Sequence, residues 1–569
     1  MNKKIVIKTL EKIALLLELQ GENPFKVSAF RKAANALELD ERSLNEIEDI
    51  TKLKGIGKGT AAVIHDLIET GQSSQLKELE DAVPKGLIPL LKLPGLGGKK
   101  LAKLYSELGV DSAESLKAAC EAHQVQKLSG FGAKTEEKIM KELEHFGERS
   151  ERLPIWYLQQ IVAEVNELLN RIPEIQKFSV AGSFRRVSEM SKDIDFIVAT
   201  EQPSEVKDQL LKQLVIKEVV AAGDTKVSVV LDAEDPVSVD FRLVALHEYA
   251  TALHHFTGSK DHNVRMRQLA KEQGKKISEY GVEQPDGSIH TFESEEEFFA
   301  HFDLPFIPPT VRESGKELER LDELEELVSL DQIVADLHMH TTWSDGAHTV
   351  KEMGEALIQR GYTHGVITDH SQYLKVANGL TPERLQKQRI EIYEFNEAHP
   401  EFRLFAGTEM DILPNGTLDF ENEVLKELDF VIASIHSSFS QPQETIMERL
   451  HTAAQNPYVH MIAHPTGRII GQREGYNPDM PQLIKWAAEF GKILELNASP
   501  YRLDLCIEHL MMAMEWNVPI AINTDAHAIE QLDVMEIGTK YAQKAWLKKE
   551  LIVNTWSLDK FETFIKKNK

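Results

Sequence analysis

The stretch "AGSFRRVSEMSKDIDFIV" (residues 181–198) sets a Gly-Ser pair and two arginines ahead of Asp193 and Asp195, which lie two apart on an apolar run. That run predicts a strand, and the two-residue period of a strand sends both carboxylates from one face. A later run, "PVSVDFRLVAL" (236–246), predicts a second strand that brings Asp240 to complete a triad. Three carboxylates so close repel one another unless a divalent cation neutralises them. Mg²⁺ is such a cation, hard and oxygen-seeking, and shares its shell with phosphates; Mn²⁺ is the alternative. Two ions about 3.5–4 Å apart could activate an attacking 3′-hydroxyl and stabilise a leaving pyrophosphate. Gly182 and Ser183 let backbone and hydroxyl approach a phosphate, and Arg186 supplies a forked donor. A lone Asp-x-Asp is more often an exposed acidic strand, but the upstream "GSFRR" and the later "DFR" argue against that reading here.

Upstream, one pattern occurs three times: "LKGIGKGTAAVI" (53–64), "LPGLGGKKLAKL" (93–104) and "LSGFGAKTEEKI" (128–139). Each is an apolar residue, a Gly-apolar-Gly turn and an amphipathic helix. Paired glycines (Gly55 and Gly57; Gly95 and Gly97) turn the backbone tightly and expose N–H groups at a helix start, which suits a phosphate. Lys58, Lys99 and Lys100 follow the first two turns, whereas the third copy is weaker in charge. The pattern resembles the helix-hairpin-helix motif and predicts sequence-independent contacts to a DNA backbone.

Taken together, residues 1–315 resemble the X family of DNA polymerases, the group that contains DNA polymerase beta. The resemblance implies DNA-binding, fingers, palm and thumb-like parts. It also implies a two-metal site at Asp193, Asp195 and Asp240, with Ser183 and Arg186 on the triphosphate. In "HHFTGSKDHNVRMRQLA" (254–270), it puts His255 and Phe256 beside the sugar and Gly258 at the turn that approaches it, with Asn263 and Arg267 at the minor-groove edges of the nascent pair and template. Histidine stands at 255 where the best-known relatives carry tyrosine, which leaves ribonucleotide exclusion open. The Schiff-base lysine of lyase-active relatives is matched by Val63, so the usual nucleophile is missing. Lys26 and Lys58 remain candidates for a 5′-phosphate.

The second half carries another centre. His338, His340 and Asp345 fall in "DLHMHTTWSDG" (336–346), followed by His370 ("TDH"), Glu409 ("GTEMD"), His436 ("SIHS"), His464 ("AHPTG"), and Asp525 with His527 ("TDAH"). Imidazole with carboxylate suits Zn²⁺, Mn²⁺ or Fe, and two cysteines in the whole chain disfavour a structural zinc site. A lone buried histidine is usually a core residue, but these nine each stand near the end of an apolar run. The pattern resembles the PHP domain over about residues 333–569, which implies a distorted α/β barrel holding up to three ions that cleave phosphoesters. By that resemblance one ion takes His338, His340, Glu409 and Asp525. A second shares Glu409 and adds His436 and His464, and a third takes Asp345, His370 and His527.

Composition fits several globular domains: 569 residues, 42% hydrophobic and 27% charged. The net charge of −26 argues against nucleic-acid binding unless basic patches are local. Glu11 and Glu18 interrupt the first apolar run, which predicts an amphipathic helix rather than a secretory signal, hence a cytoplasmic protein. Cys120 and Cys506, far apart, read as core residues.

The expected organisation is multidomain α+β and α/β. Residues 1–85 and 86–150 form helix-hairpin-helix parts, 151–246 a nucleotidyltransferase palm and 247–315 a thumb-like part. Residues 316–333 form an acidic, solvated helical linker, and 334–569 a (β/α)7-like barrel. The expected activity is template-directed filling of short DNA gaps with deoxynucleoside triphosphates, on gapped or nicked duplex bearing a 5′-phosphate. To this are added 3′→5′ exonuclease or 3′-end processing, and cleavage at abasic sites. No membrane partner is expected, and the absence of a heptad favours a monomer. A phosphoesterase with a DNA-delivering polymerase half, and a DNA-binding scaffold with structural metals, are the competing readings.

Overall fold

The computed structural model describes residues 3–39, 47, 49–84, 86–91, 93, 96–144 and 152–567. The chain divides into two compact units, Met1–Glu151 and Arg152–Lys569. Among the described residues no helix is long and apolar enough to cross a membrane.

The first unit is helical. Helix α1 (Lys3–Leu19) buries Val6, Leu10, Ile13 and Leu17, the three- and four-residue spacing of an amphipathic face, and packs on α2 (Pro24–Leu39). Helices α3 (Lys58–Thr70), α4 (Gly98–Leu108) and α5 (Ala133–Glu144) each follow one Gly-apolar-Gly turn. A single apolar core runs through the unit from Val6 to Leu143 and contains the middle residues of all three turns, Ile56, Leu96 and Phe131. Cys120 lies in that core.

The second unit begins with α6 (Ile155–Asn170), which covers a five-stranded sheet. Its strands are β1 (Lys177–Val180), β2 (Asp193–Ala199), β3 (Ile216–Ala222), β4 (Lys226–Leu231) and β5 (Val237–Val244), in the order β1-β2-β5-β4-β3. Only β2 and β5 run parallel. Strand β1 stops at Val180, because Gly182 takes the left-handed conformation at φ +62° and starts a short helix, Gly182–Arg185. Helices α7 (Tyr249–Thr257) and α8 (Lys260–Glu272) follow, and a phenylalanine-rich core around Phe298, Phe299 and Phe302 closes this part.

The expected solvated helix at 316–333 is not formed. Its residues make three short 3-10 turns, Lys316–Glu319, Leu321–Glu326 and Leu330–Gln332. Leu318, Leu321, Leu324 and Leu327 are spaced by three, the 3-10 period, so they share one side and pack into the phenylalanine core. Val328 is fully buried in the main barrel core, and Arg320 lies 3.9 Å over the Trp546 ring.

The barrel has seven parallel strands in chain order: β6 (Ala335–Asp336), β7 (His364–Ile367), β8 (Arg403–Asp411), β9 (Phe430–Ser434), β10 (Met461–Ile462), β11 (Ile493–Asn497) and β12 (Ile520–Asn523). A parallel bridge between Met339 and Ala526 nearly closes it. The strand residues are buried except the half-buried Arg403 at the start of β8, as expected where helices cover a parallel sheet. Histidines and carboxylates stand at and just beyond the carboxyl ends of these strands, where such barrels place ligands.

Candidate metal centres

In the five-stranded sheet the register sets Asp195 directly beside Asp240, and Asp193 beside Ser238. Asp193 is exposed, while Asp195 and Asp240 are half-buried. Burial, then the charges of Asp193 and Asp240, push the Asp195 carboxyl up to about 7. Lys226 Nζ reaches Asp240 Oδ2 at 2.7 Å. Gly182 sits against this set: a Cβ there would lie 2.3 Å from Asp195 Oδ2, and the positive φ independently favours glycine. The next residue, Ser183, donates its hydroxyl to Ser191 at 2.8 Å.

Arg186 donates to the Thr257 carbonyl at 2.5 Å and pairs with Glu313 at 3.2 Å. Gly258 is adjacent, its would-be Cβ 3.3 Å from the Arg186 guanidinium, and has φ +69°. Asn263 donates to the His255 carbonyl at 2.7 Å, Arg267 donates to the Asn263 carbonyl, and the Arg242 guanidinium lies 4.5 Å from the Phe256 ring centre. The turn 255–258 is thereby tied to both α8 and β5. Sequence reasoning missed the buried support beneath it. Glu295 is held by Arg185 and Arg312, each at 2.6 Å, and Arg185 also donates to Thr257.

The barrel centre is denser. Glu409, at the end of β8, is 1% exposed, and its two oxygens face different groups. Oε1 meets His436 at 3.1 Å and His464 at 2.8 Å; Oε2 meets His338 at 3.4 Å, His340 at 3.6 Å and His370 at 2.9 Å. Asp525 Oδ1 stands 3.1 Å from His340 and 3.4 Å from His338. Asp345 lies 3.6 Å from His370 and 3.4 Å from His527.

Three ligand groups result: His338, His340, Glu409 and Asp525; His370, Glu409 and His436; and His340, Asp345, His370 and His527. These groups depart from the expected sets in two ways: His340 and His370 each serve two groups, and His464, expected beside His436, falls in none of the three although its Nε2 lies 2.8 Å from Glu409 Oε1. His340 stacks on both His370 and His527, with ring centres 4.3 and 4.2 Å apart. Burial, then His370 and His527, hold His340 down at about 3. Despite the opposing effect of burial, Glu409 and Asp411 raise His436 to about 10. None of the three imidazoles around Glu409 Oε2 makes an aligned hydrogen bond to it, and the buried Nδ1 atoms of His340 and His464 have no hydrogen-bond partner. Buried lone pairs left over in one pocket fit divalent cations, and the mixed nitrogen and oxygen donors suit Zn²⁺, Mn²⁺ or Fe.

Carboxylates behind the ligands escaped sequence reasoning. Glu495 accepts from His338 Nδ1 at 2.7 Å and from the His464 backbone N–H, while Asp411 lies 3.2 Å from His436 Nδ1. Asp369 gathers Thr341, Ser344 and Gln388 around the 340–345 loop. Such partners fix ring orientation. Asp369 and Asp411 stand inside the quoted motifs "TDH" and "GTEMD", which was the available signal.

In the first unit, Gly55 has φ +115° and packs on the Lys32 carbonyl, and Gly57 and Gly97 begin α3 and α4. Gly95 lies outside the described residues. Lys58 and Lys99 are exposed, Lys100 lies 5.6 Å from the Phe131 ring centre, and Lys26 pairs with Glu22 at 3.5 Å. Val63 is 7% exposed, a core residue.

Family models match the chain in four places: a helix-hairpin-helix domain at 1–73, a SAM-like helix-hairpin-helix tandem at 87–144, a DNA polymerase beta thumb at 252–313 and a PHP domain at 336–499. The DNA polymerase/3'-5' exonuclease PolX of Bacillus subtilis is 58% identical over 569 residues, covering the whole of both chains. Probable phosphatases of Acetivibrio thermocellus and Thermoanaerobacter sp. are 30% and 28% identical over 257 residues, 42% of this chain and 97% and 96% of theirs. With its helix-hairpin-helix, thumb and PHP segments in the expected order and a full-length relative of that identity, the chain belongs to the family X DNA polymerases that carry a C-terminal PHP domain.

Proposed function

We propose that the protein is a template-directed DNA polymerase that fills short gaps in repair, with a metal-dependent 3′→5′ exonuclease in its PHP domain that trims or unblocks the ends to be extended. The polymerase reading is carried by the pairing of Asp195 with Asp240 across the parallel strands β2 and β5. Asp193, Asp195 and Asp240 would hold two Mg²⁺ or Mn²⁺ ions, which would supply charge neutralisation for a 3′-hydroxyl and a triphosphate brought together there. Ser183 and Arg186 bind the phosphates; His255, Phe256 and Gly258 line the sugar; Asn263 and Arg267 contact the nascent pair and template. The exonuclease reading is carried by Glu409, whose two oxygens can serve two ions among His338, His340, Asp345, His370, His436, His464, Asp525 and His527. The glycine turns and Lys26, Lys58, Lys99 and Lys100 bind the backbone of gapped or nicked duplex and its 5′-phosphate. The protein acts as a cytoplasmic monomer.

The test uses a one-nucleotide gapped duplex with Mg²⁺ or Mn²⁺, with and without nucleotides. Asp193→Ala is expected to lose extension by more than ~10²-fold and keep degradation, and His338→Ala to do the reverse. Degradation by His338→Ala at the unsubstituted rate would refute the second site.

A further inference from the structure

Helix α9 (Met535–Lys544) belongs to the PHP half, yet Tyr541 and Lys544, one turn apart, grip the palm segment 186–189. Lys544 Nζ donates to the Arg186 carbonyl at 2.9 Å and, closer still, to Glu313 Oε1. That same oxygen takes Arg186 Nε at 3.2 Å. At the other end of the segment, Tyr541 donates to Glu189, which also receives the Arg468 guanidinium through two bonds of 2.9 and 3.2 Å. One lysine of the phosphoesterase half therefore holds both the backbone of Arg186 and the carboxylate that occupies its side chain.

The side chains of Lys544 and Arg186 are only 13% and 14% exposed, so these two cations are poorly screened, while the Glu313 side chain that they share is 39% exposed. One carboxylate faces two cations. An incoming triphosphate needs the donors that Glu313 now engages, and the Glu313 carboxylate, though its side chain is 39% exposed, would then stand as a negative charge close to the phosphates. Lys544 offsets that charge, because Glu313 stays paired when Arg186 turns to phosphate. Without Lys544, Glu313 would hold Arg186 harder and add an uncompensated negative charge beside the phosphates.

We propose that Lys544 is a positioning residue for the polymerase reaction: by keeping Glu313 paired it releases Arg186 to the incoming nucleotide, so the PHP half completes the triphosphate site. This rests on the placement of the triphosphate at Arg186 given above. KM and kcat for the complementary deoxynucleotide, measured with the full chain on a one-nucleotide gap in Mg²⁺, decide it. Lys544→Met is expected to raise KM roughly tenfold with kcat within about twofold, the size of a charge-assisted contact. Lys544→Arg should stay near the unsubstituted value. Adding Glu313→Gln to Lys544→Met should bring KM back, a rescue that mere loosening of the helix would not give. Exonuclease rates on the same samples report that each variant is folded. An unchanged KM in Lys544→Met, or no rescue by Glu313→Gln, overturns the inference while Arg186→Ala still raises KM. If Arg186→Ala leaves KM unchanged, the triphosphate placement itself falls, and the inference with it.

Discussion

The two centres hold negative charge in opposite ways. Asp193, Asp195 and Asp240 stand on an open sheet with one lysine beside them, and the crowding is relieved by lifting the Asp195 carboxyl toward neutrality. The barrel instead buries Glu409 among five imidazoles and orients two of those imidazoles from behind with Glu495 and Asp411. The first arrangement suits ions that arrive with the substrate and leave with the product, because the phosphates complete the shell. The second is built in advance and suits ions that stay.

Metal removal should separate them most widely. After prolonged chelation and desalting, the exonuclease rate is expected to fall more than ~10²-fold and to need Mn²⁺ or Zn²⁺ to return. Extension by the same sample should resume as soon as Mg²⁺ is added. Simultaneous recovery of both activities on mixing with Mg²⁺ would erase the contrast.

A smaller loss is expected from Glu495→Gln, which keeps the shape but weakens the hold on His338. Exonuclease activity or metal affinity should drop about 10- to 100-fold, with nucleotide incorporation on a gapped duplex unchanged. Loss of incorporation would mean that the centres are not independent at this level.

The gentlest probe is pH. His364, at the start of β7, is fully buried beside Phe561, and burial holds it down at about 4. The unfolded side chain takes a proton near 6.5 and the folded one does not until about 4. Stability is therefore fully present above 6.5 and falls by about 3 kcal/mol as pH drops through that window. Asp195 has the opposite sign: its raised carboxyl favours the folded metal-free chain in acid, and that contribution is lost as pH rises toward 7. Chemical denaturation at several pH values should show His364→Phe flattening the acid-side loss. An unaltered slope would assign the acid weakness elsewhere.

Chemistry carried by spacing was legible in the sequence. Asp193 and Asp195 two apart, and histidines at strand ends, follow from strand period and topology alone, and the structure brings those side chains together. Supports chosen by tertiary packing were not. Glu495 lies 157 residues from the histidine it orients, and Glu295, which ties Arg185 to Arg312, stands in a run of acids with no spacing that marks it as buried. The edge strand β3 also escaped, since its residues are exposed on both faces and carry no inside-outside alternation. The segment 316–333 misled because its charge dominates its composition, while its leucines obey a period of three rather than 3.6.

That segment has a further meaning for inheritance. A tether between two enzymes can be lengthened, shortened or cut by chance without harm, but Leu327 and Val328 are shared property, the one seated in the phenylalanine core and the other in the barrel. Recombination that exchanged one half would have to carry the matching seats along with it, so the pair is expected to descend as a single unit of selection.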